Sequence, residues 1–122
     1  MSRRSERVAE AIRREASLLM KHEVRDPRIG FVTITKATIT DDLRNAVIYY
    51  SVLGEEGKKR LAHKGLQSAL PFLKKEIGDR LGLRYTPEIR IKVDDAMEKV
   101  EKIEKLLKKI KEEKKDDTPK ED

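Results

Sequence analysis

Two adjoining segments, FVTITKATIT (31–40) and NAVIYYSVL (45–53), limit the fold more than anything else in the chain. Each places β-branched and aromatic residues at alternating positions, the period of a half-buried strand. The polar link DDLR between them is short enough for a hairpin, so the two strands are expected to pair antiparallel. Val32, Ile34 and Ala37 do not alternate perfectly, which predicts a bulge or register shift near Lys36.

The flanking sequence has the helical period. Residues 3–22 place Val8, Ile12, Ala16 and Leu19 on one face and Arg3, Arg7, Arg14 and Lys21 on the other, with Ser2 or Ser5 as the cap. RDPRIG, with Pro27 and Gly30, is a turn. Residues 55–69 form an apolar stripe from Leu61, Ala62, Gly65, Leu66 and Ala69, and Leu73, Ile77 and Leu81 mark a further helical segment that Gly82 stops. Pro71 lies between the two. It lacks the N–H owed to the Gln67 carbonyl and its ring crowds that carbonyl, at a cost of about 3 kcal/mol, so the reading is two helices meeting at a kink of Ala69, Leu70 and Pro71. PEIRIKV is a short strand with Pro87 at its start, and Met97, Val100, Ile103, Leu107 and Ile110 stripe a last helix capped by Asp94 or Asp95. The fold class is α+β, with helices packed on one face of three strands. Residues 1–110 are one domain and 111–122 a charged, disordered tail.

Charged residues make up 43% of the 122 positions, against roughly 25% in an average domain. Such a surface suits the ion-pair networks of proteins from hot environments. The net charge of +6 is uneven: residues 1–30 carry +3 and residues 55–92 carry +5, while residues 93–122 carry −2. A positive field focused on two segments fits a polyanionic partner. There is no cysteine, which removes disulfides, thiolate catalysis and cysteine-based zinc sites and fits a reducing cytoplasm. No stretch has the roughly 18 apolar residues of a membrane span, and the Arg-rich start lacks the apolar block of a signal peptide.

No catalytic motif is present. His22 and His63 fall on different helical segments and read as exposed polar side chains. Asp41–Asp42 and Asp94–Asp95 have oxygens suited to Mg²⁺, but each pair sits where a turn or an N-cap calls for Asp. GEEG (54–57) matches the phosphate-clamping G-x-x-G of KH domains, yet it joins a strand to a helix, and its two glutamates suit a helix N-terminus better than a phosphate. The position a KH loop would occupy reads SALP instead. With only five aromatics, a broad base-stacking platform is not expected, and Phe72 beside the kink is read as core.

RVAEAIRREASLLMKHEVRDPRIGFVTITKATITDDLRNAVIYYSVLG, followed by LQSALPFLKKEIGDRLGLRYTPEIRIKVDD, resembles the bacterial ribosome-binding factor A family from about Arg4 to Ile110. DPRIGFVTIT, LRYTPEI and Asp94 are the specific parts. The resemblance implies a KH-like type II fold (α-β-β-α-kink-α-β) with an additional C-terminal helix, in which an Ala-x-Gly kink replaces the G-x-x-G loop. Ala69 matches that alanine, while Pro71 stands in place of the glycine. It further implies a cytoplasmic, monomeric, non-enzymatic factor without cofactor or metal. Such a factor binds the free small (30S) ribosomal subunit and its rRNA, assists late maturation of that rRNA including its 5′ end, and matters for growth in the cold. The expected RNA contacts are the cations of the two positive segments: Arg3, Arg7, Arg14, Arg60, Lys64, Lys74, Lys75, Arg80 and Arg84. A bend at residues 69–71 would gather Arg60 and Lys64 with Lys74, Lys75 and Arg80 around one corner. The alternatives are a general nucleic-acid binder without subunit selectivity, and a metal-dependent nuclease using Asp94, Asp95 and Glu98.

Overall fold

The computed structural model describes residues 2–117. They form α1 (Arg3–His22), β1 (Val32–Ile39), β2 (Asn45–Val52), α2 (Glu56–Leu81), β3 (Glu88–Val93) and α3 (Ala96–Asp117). The α+β class is the one the periodicities predict. β1 and β2 pair antiparallel, and the register slips between Ile34 and Lys36, leaving Thr35 without a partner on β2. That is where the sequence alternation fails. β3 adds to β2 in parallel, so the order is β1-β2-β3 with β2 central. A parallel neighbour requires a crossover, which α2 supplies.

One sheet face carries Ile34, Ile39, Ala46, Ile48, Tyr50, Ile89 and Ile91, all buried. Ala9, Ile12, Ala16 and Leu19 of α1 and Leu66, Leu73 and Ile77 of α2 close over it. Burying each large aliphatic contributes about 1.5–3 kcal/mol. The start of α1 is tied to the hairpin turn. Ser2 caps the helix by accepting from the Ser5 N–H at 3.1 Å, and Asp41 accepts from the Ser2 N–H and the buried Ser5 hydroxyl at 3.0 Å each. Asp42 shapes the turn itself, accepting from the Thr40 hydroxyl at 2.6 Å and the Arg44 N–H at 3.1 Å.

The expected pair of helices around Pro71 is a single helix. α2 runs unbroken from Glu56 to Leu81 with Pro71 inside it, and Gly82 ends it at φ 59°, in the left-handed region. The physical reason is phase. Ala62, Leu66, Leu73 and Ile77 are spaced four, seven and four residues apart and are all buried, so one continuous helix keeps them on one face across the proline. Pro71 is itself exposed, so the Gln67 carbonyl it leaves unpaired faces outward, where water can reach it.

α3 also departs from expectation. Its stripe does not join the core: Val100, Ile103, Leu106, Leu107 and Ile110 are exposed. The helix meets the domain at its first turns, where Lys59 pairs with Glu98. Residues 111–117, expected to be disordered, lie within α3, and residues 118–122 fall outside the described part of the chain.

Candidate nucleic-acid interface

Arg3, Arg7 and Arg14 stand exposed on the outer side of α1 and share a shallow groove with Glu6, Glu10 and Ala11. Glu10 is already neutralised. Arg13 donates to it through Nε at 3.0 Å and Nη2 at 2.6 Å, which holds its carboxyl below the usual carboxylate range. Arg3, Arg7 and Arg14 make no hydrogen bond or ion pair among the described residues, so their charge is available to a partner.

On α2, Arg60, Lys64 and Lys75 are exposed and unpaired, and helical spacing places them in one outward stripe with Pro71. Lys74 and Arg80 are not in that stripe. Lys74 reaches β3 and pairs with Glu88 at 2.6 Å. Arg80 turns toward α1 and is shared by Glu15 at 3.2 Å, Glu23 at 2.9 Å and Glu76 at 3.6 Å. The hydrogen bond to Glu15 leads in raising the guanidinium above its ordinary value. The five α2 cations are therefore divided among three sides of one helix instead of gathering at a corner. Arg84 lies beyond α2, its guanidinium carbon 5.5 Å from the Tyr85 ring centroid, with that of Arg44 at 5.3 Å.

Around Pro71, Ala69 and Leu70 are half-buried against the core, whereas Phe72 is 39% exposed and not the core residue expected. The RDPRIG turn docks beside them. Arg28 binds Asp26 at 2.6 Å and donates to the Ser68 hydroxyl at 3.1 Å, and Ile29 is buried against Gly65. A Cβ at Gly65 would lie 2.6 Å from Ile29 Cγ1, so the close approach requires glycine.

The acidic pairs are used structurally. Asp94 accepts from the Thr35 hydroxyl at 2.7 Å and the Ala96 N–H at 3.1 Å, and these bonds, with Lys36 nearby, keep its carboxyl below the usual range. Asp95 pairs with Lys99 at 3.5 Å, and Glu98 is taken by Lys59. Among the described residues no group of three or more His, Asp or Glu is placed to hold a metal. In GEEG, Glu55 and Glu56 open α2, as their position after a strand predicts.

His63 is the least legible residue. It is half-buried, and its Nδ1 meets the hydroxyl of fully buried Tyr50 at 2.5 Å, tying α2 to β2. Its place between Ala62 and Leu66 in the apolar stripe is the signal that could have found it.

Comparison with known proteins places these features in a family. The family model for ribosome-binding factor A matches residues 4–107. Ribosome-binding factor A of Geobacter sulfurreducens is 47% identical over 98 residues, covering 80% of this chain and 83% of that protein. The crystal structure of ribosome-binding factor A from Thermus thermophilus superposes with a TM-score of 0.64 at 18% identity, covering 73% of this chain and 94% of that one. A homology model of the Thermus thermophilus factor, fitted into a cryo-EM map of its complex with the 30S subunit, gives a TM-score of 0.55 at 21% identity, covering 79% and 97%. With the unpaired cations of α1 and α2 set on the fold those structures share, and a sequence match spanning most of its length, this chain belongs to the ribosome-binding factor A family.

Proposed function

We propose that this protein binds the free small ribosomal subunit through its rRNA and assists the late maturation of that RNA, including its 5′ end, without catalysing a reaction. It works in the cytoplasm as a monomer. The observation that carries this reading is the family match over residues 4–107. The charge arrangement supports it: Arg3, Arg7, Arg14, Arg60, Lys64 and Lys75 are exposed and free of acidic partners, the form in which cations displace counterions from a phosphate backbone. The carboxylates a nuclease would need are held by Thr35, Lys59 and Lys99.

The test is co-sedimentation with free small subunits and with 70S ribosomes across a salt series, with duplex DNA as competitor. Binding is expected to favour free subunits and to resist the DNA. Reversing Arg3, Arg7 and Arg14 to Glu should weaken it and lower the log–log salt slope by about one unit per lost phosphate contact, with the melting temperature little changed. Equal binding to duplex DNA would replace this reading with that of a general nucleic-acid binder.

A further inference from the structure

α1 and α2 pack on one face of the sheet. On the other, the register brings side chains from all three strands into rows. Lys36 of β1 pairs with Tyr49 of β2, and Tyr49 pairs with Lys92 of β3. The next row is Thr38, Val47 and Arg90. Lys36, Arg90 and Lys92 are exposed, and Tyr49 is half-buried between the two lysines. Lys36 Nζ lies 4.6 Å from the Tyr49 ring centroid.

These two rows hold three cations and no carboxylate. Two flanking acids are already occupied, and Glu101 of α3 lies at the far end of the face, beside Thr33, Thr35 and Ser51. Asp94 is held by Thr35 and Ala96, and Glu88, at the start of β3, is bound to Lys74. Arg90 and Lys92 have no hydrogen bond or ion pair among the described residues. At the end of the sheet where β3 begins, the exposed Tyr85 ring is likewise flanked by Arg44 and Arg84. Tyr85 thus has two cations against its ring, and Tyr49 has Lys36 against its ring and Lys92 as its neighbour on β3.

We propose that the open sheet face binds single-stranded RNA, with one base stacked on Tyr49 and the flanking phosphates met by Lys36, Lys92 and Arg90. A tyrosine ring offers a flat surface to any base, and cations beside it neutralise the backbone on both sides, the combination used by proteins that hold single strands without reading sequence. A duplex cannot present an unstacked base to the ring. An acidic protein segment would satisfy the lysines but leave the ring unused. The proposal rests on the rRNA-binding reading and names a surface for it separate from the α1 and α2 cations.

The experiment measures binding of the full chain to a fluorescent single-stranded RNA of roughly ten nucleotides, by anisotropy at low and physiological salt. Duplex RNA and an acidic peptide serve as competitors, and subunit co-sedimentation is run in parallel. Tyr49→Leu should weaken single-strand binding about tenfold, the loss expected for one stacked base. Tyr49→Phe, which keeps the ring, should bind as the parent does and shows that the position tolerates change. Lys36→Glu with Lys92→Glu should abolish binding at physiological salt. Parental affinity in Tyr49→Leu, equal affinity for duplex, or full displacement by the acidic peptide would each overturn the proposal. If subunit binding is absent while the single strand still binds through Tyr49, the functional reading fails and the sheet site stands. If subunits bind but Tyr49→Leu keeps its affinity for the single strand, the sheet site fails and the reading stands.

Discussion

Replacing Gly65 with alanine tests how closely the RDPRIG turn is locked to α2. Within a helix, glycine to alanine ordinarily stabilises by about 1 kcal/mol. At Gly65 the new methyl would sit 2.6 Å from Ile29 Cγ1, with Arg28 Cβ at 3.4 Å and the Asp26 carboxyl carbon at 3.5 Å. Carbon atoms pack best at about 3.5–4.0 Å, so Ile29 must retreat by about 1 Å or leave its rotamer. Ile29 is buried in the core and cannot swing into solvent. Overpacking of this kind costs about 1–3 kcal/mol, which outweighs the helix gain and leaves a net loss near 1 kcal/mol. For a chain of this size that lowers the melting temperature by about 4 °C. Gly57, with no atom within 4 Å of its Cβ position, is the matched control, and its alanine variant should be neutral or more stable. Thermal and urea unfolding followed by circular dichroism measure both. Ile29→Ala should also cost less in the Gly65→Ala background than in the parent, because the clash is removed with the side chain. If Gly65→Ala stabilises as Gly57→Ala does, or if the two changes add without coupling, the close approach does not constrain the turn.

Asp41, held below the usual carboxylate range first by the Ser2 N–H and then by the Ser5 hydroxyl, stabilises the fold above the unfolded carboxylate value and loses that contribution as pH falls through its folded value. Asp41→Asn should therefore melt below the parent at neutral pH, with the gap closing in acid; a constant gap across a pH series of melting curves would show that the charge is not what matters. Arg80→Gln leaves Glu15, Glu23 and Glu76 facing one another uncompensated, so its melting temperature should fall and recover partly with added salt, which screens like charges. A loss unchanged by salt would mean that Arg80 contributes by packing.

The sequence made the elements legible where one period dominates. The hairpin, a bulge near Lys36, a serine cap at Ser2 or Ser5 and the stop at Gly82 all follow from local chemistry, and the structure has them, with Ser2 as the cap. What escaped depends on distant partners. Arg80 and Glu15 are 65 positions apart, and nothing in their neighbourhoods announces the pair. The basic residues therefore read alike in the sequence, although Arg60 and Lys75 are free while Lys74 and Arg80 are committed. α3 shows the opposite limit. Its apolar stripe has the pattern of a core helix, but a pattern records only that a face is apolar, not that another surface is present to cover it. The row of Lys36, Tyr49 and Lys92 likewise exists only once β3 is known to lie beside β2.

Pro71 joins the two halves of this comparison. Its local chemistry opposes a helix, and its surroundings impose one, because Leu66, Leu73 and Ile77 are buried together only if the helix continues in phase through residue 71. Three buried aliphatics at about 1.5–3 kcal/mol each outweigh a proline penalty of about 3 kcal/mol. The side on which the proline falls then decides what it does. A proline ring pushes the helix apart on its own side, and long helices curve with their solvent side convex. Pro71 is exposed and shares its stripe with Arg60, Lys64 and Lys75. Any bend it produces therefore wraps α2 around the core and spreads those cations along a convex ridge. A convex line of positive charge suits a groove or a curved phosphate backbone, whereas a concave corner would have suited a single phosphate. Proline at residue 71 is thus compatible with binding an extended polyanion, because the ridge requires a continuous helix and not a hinge.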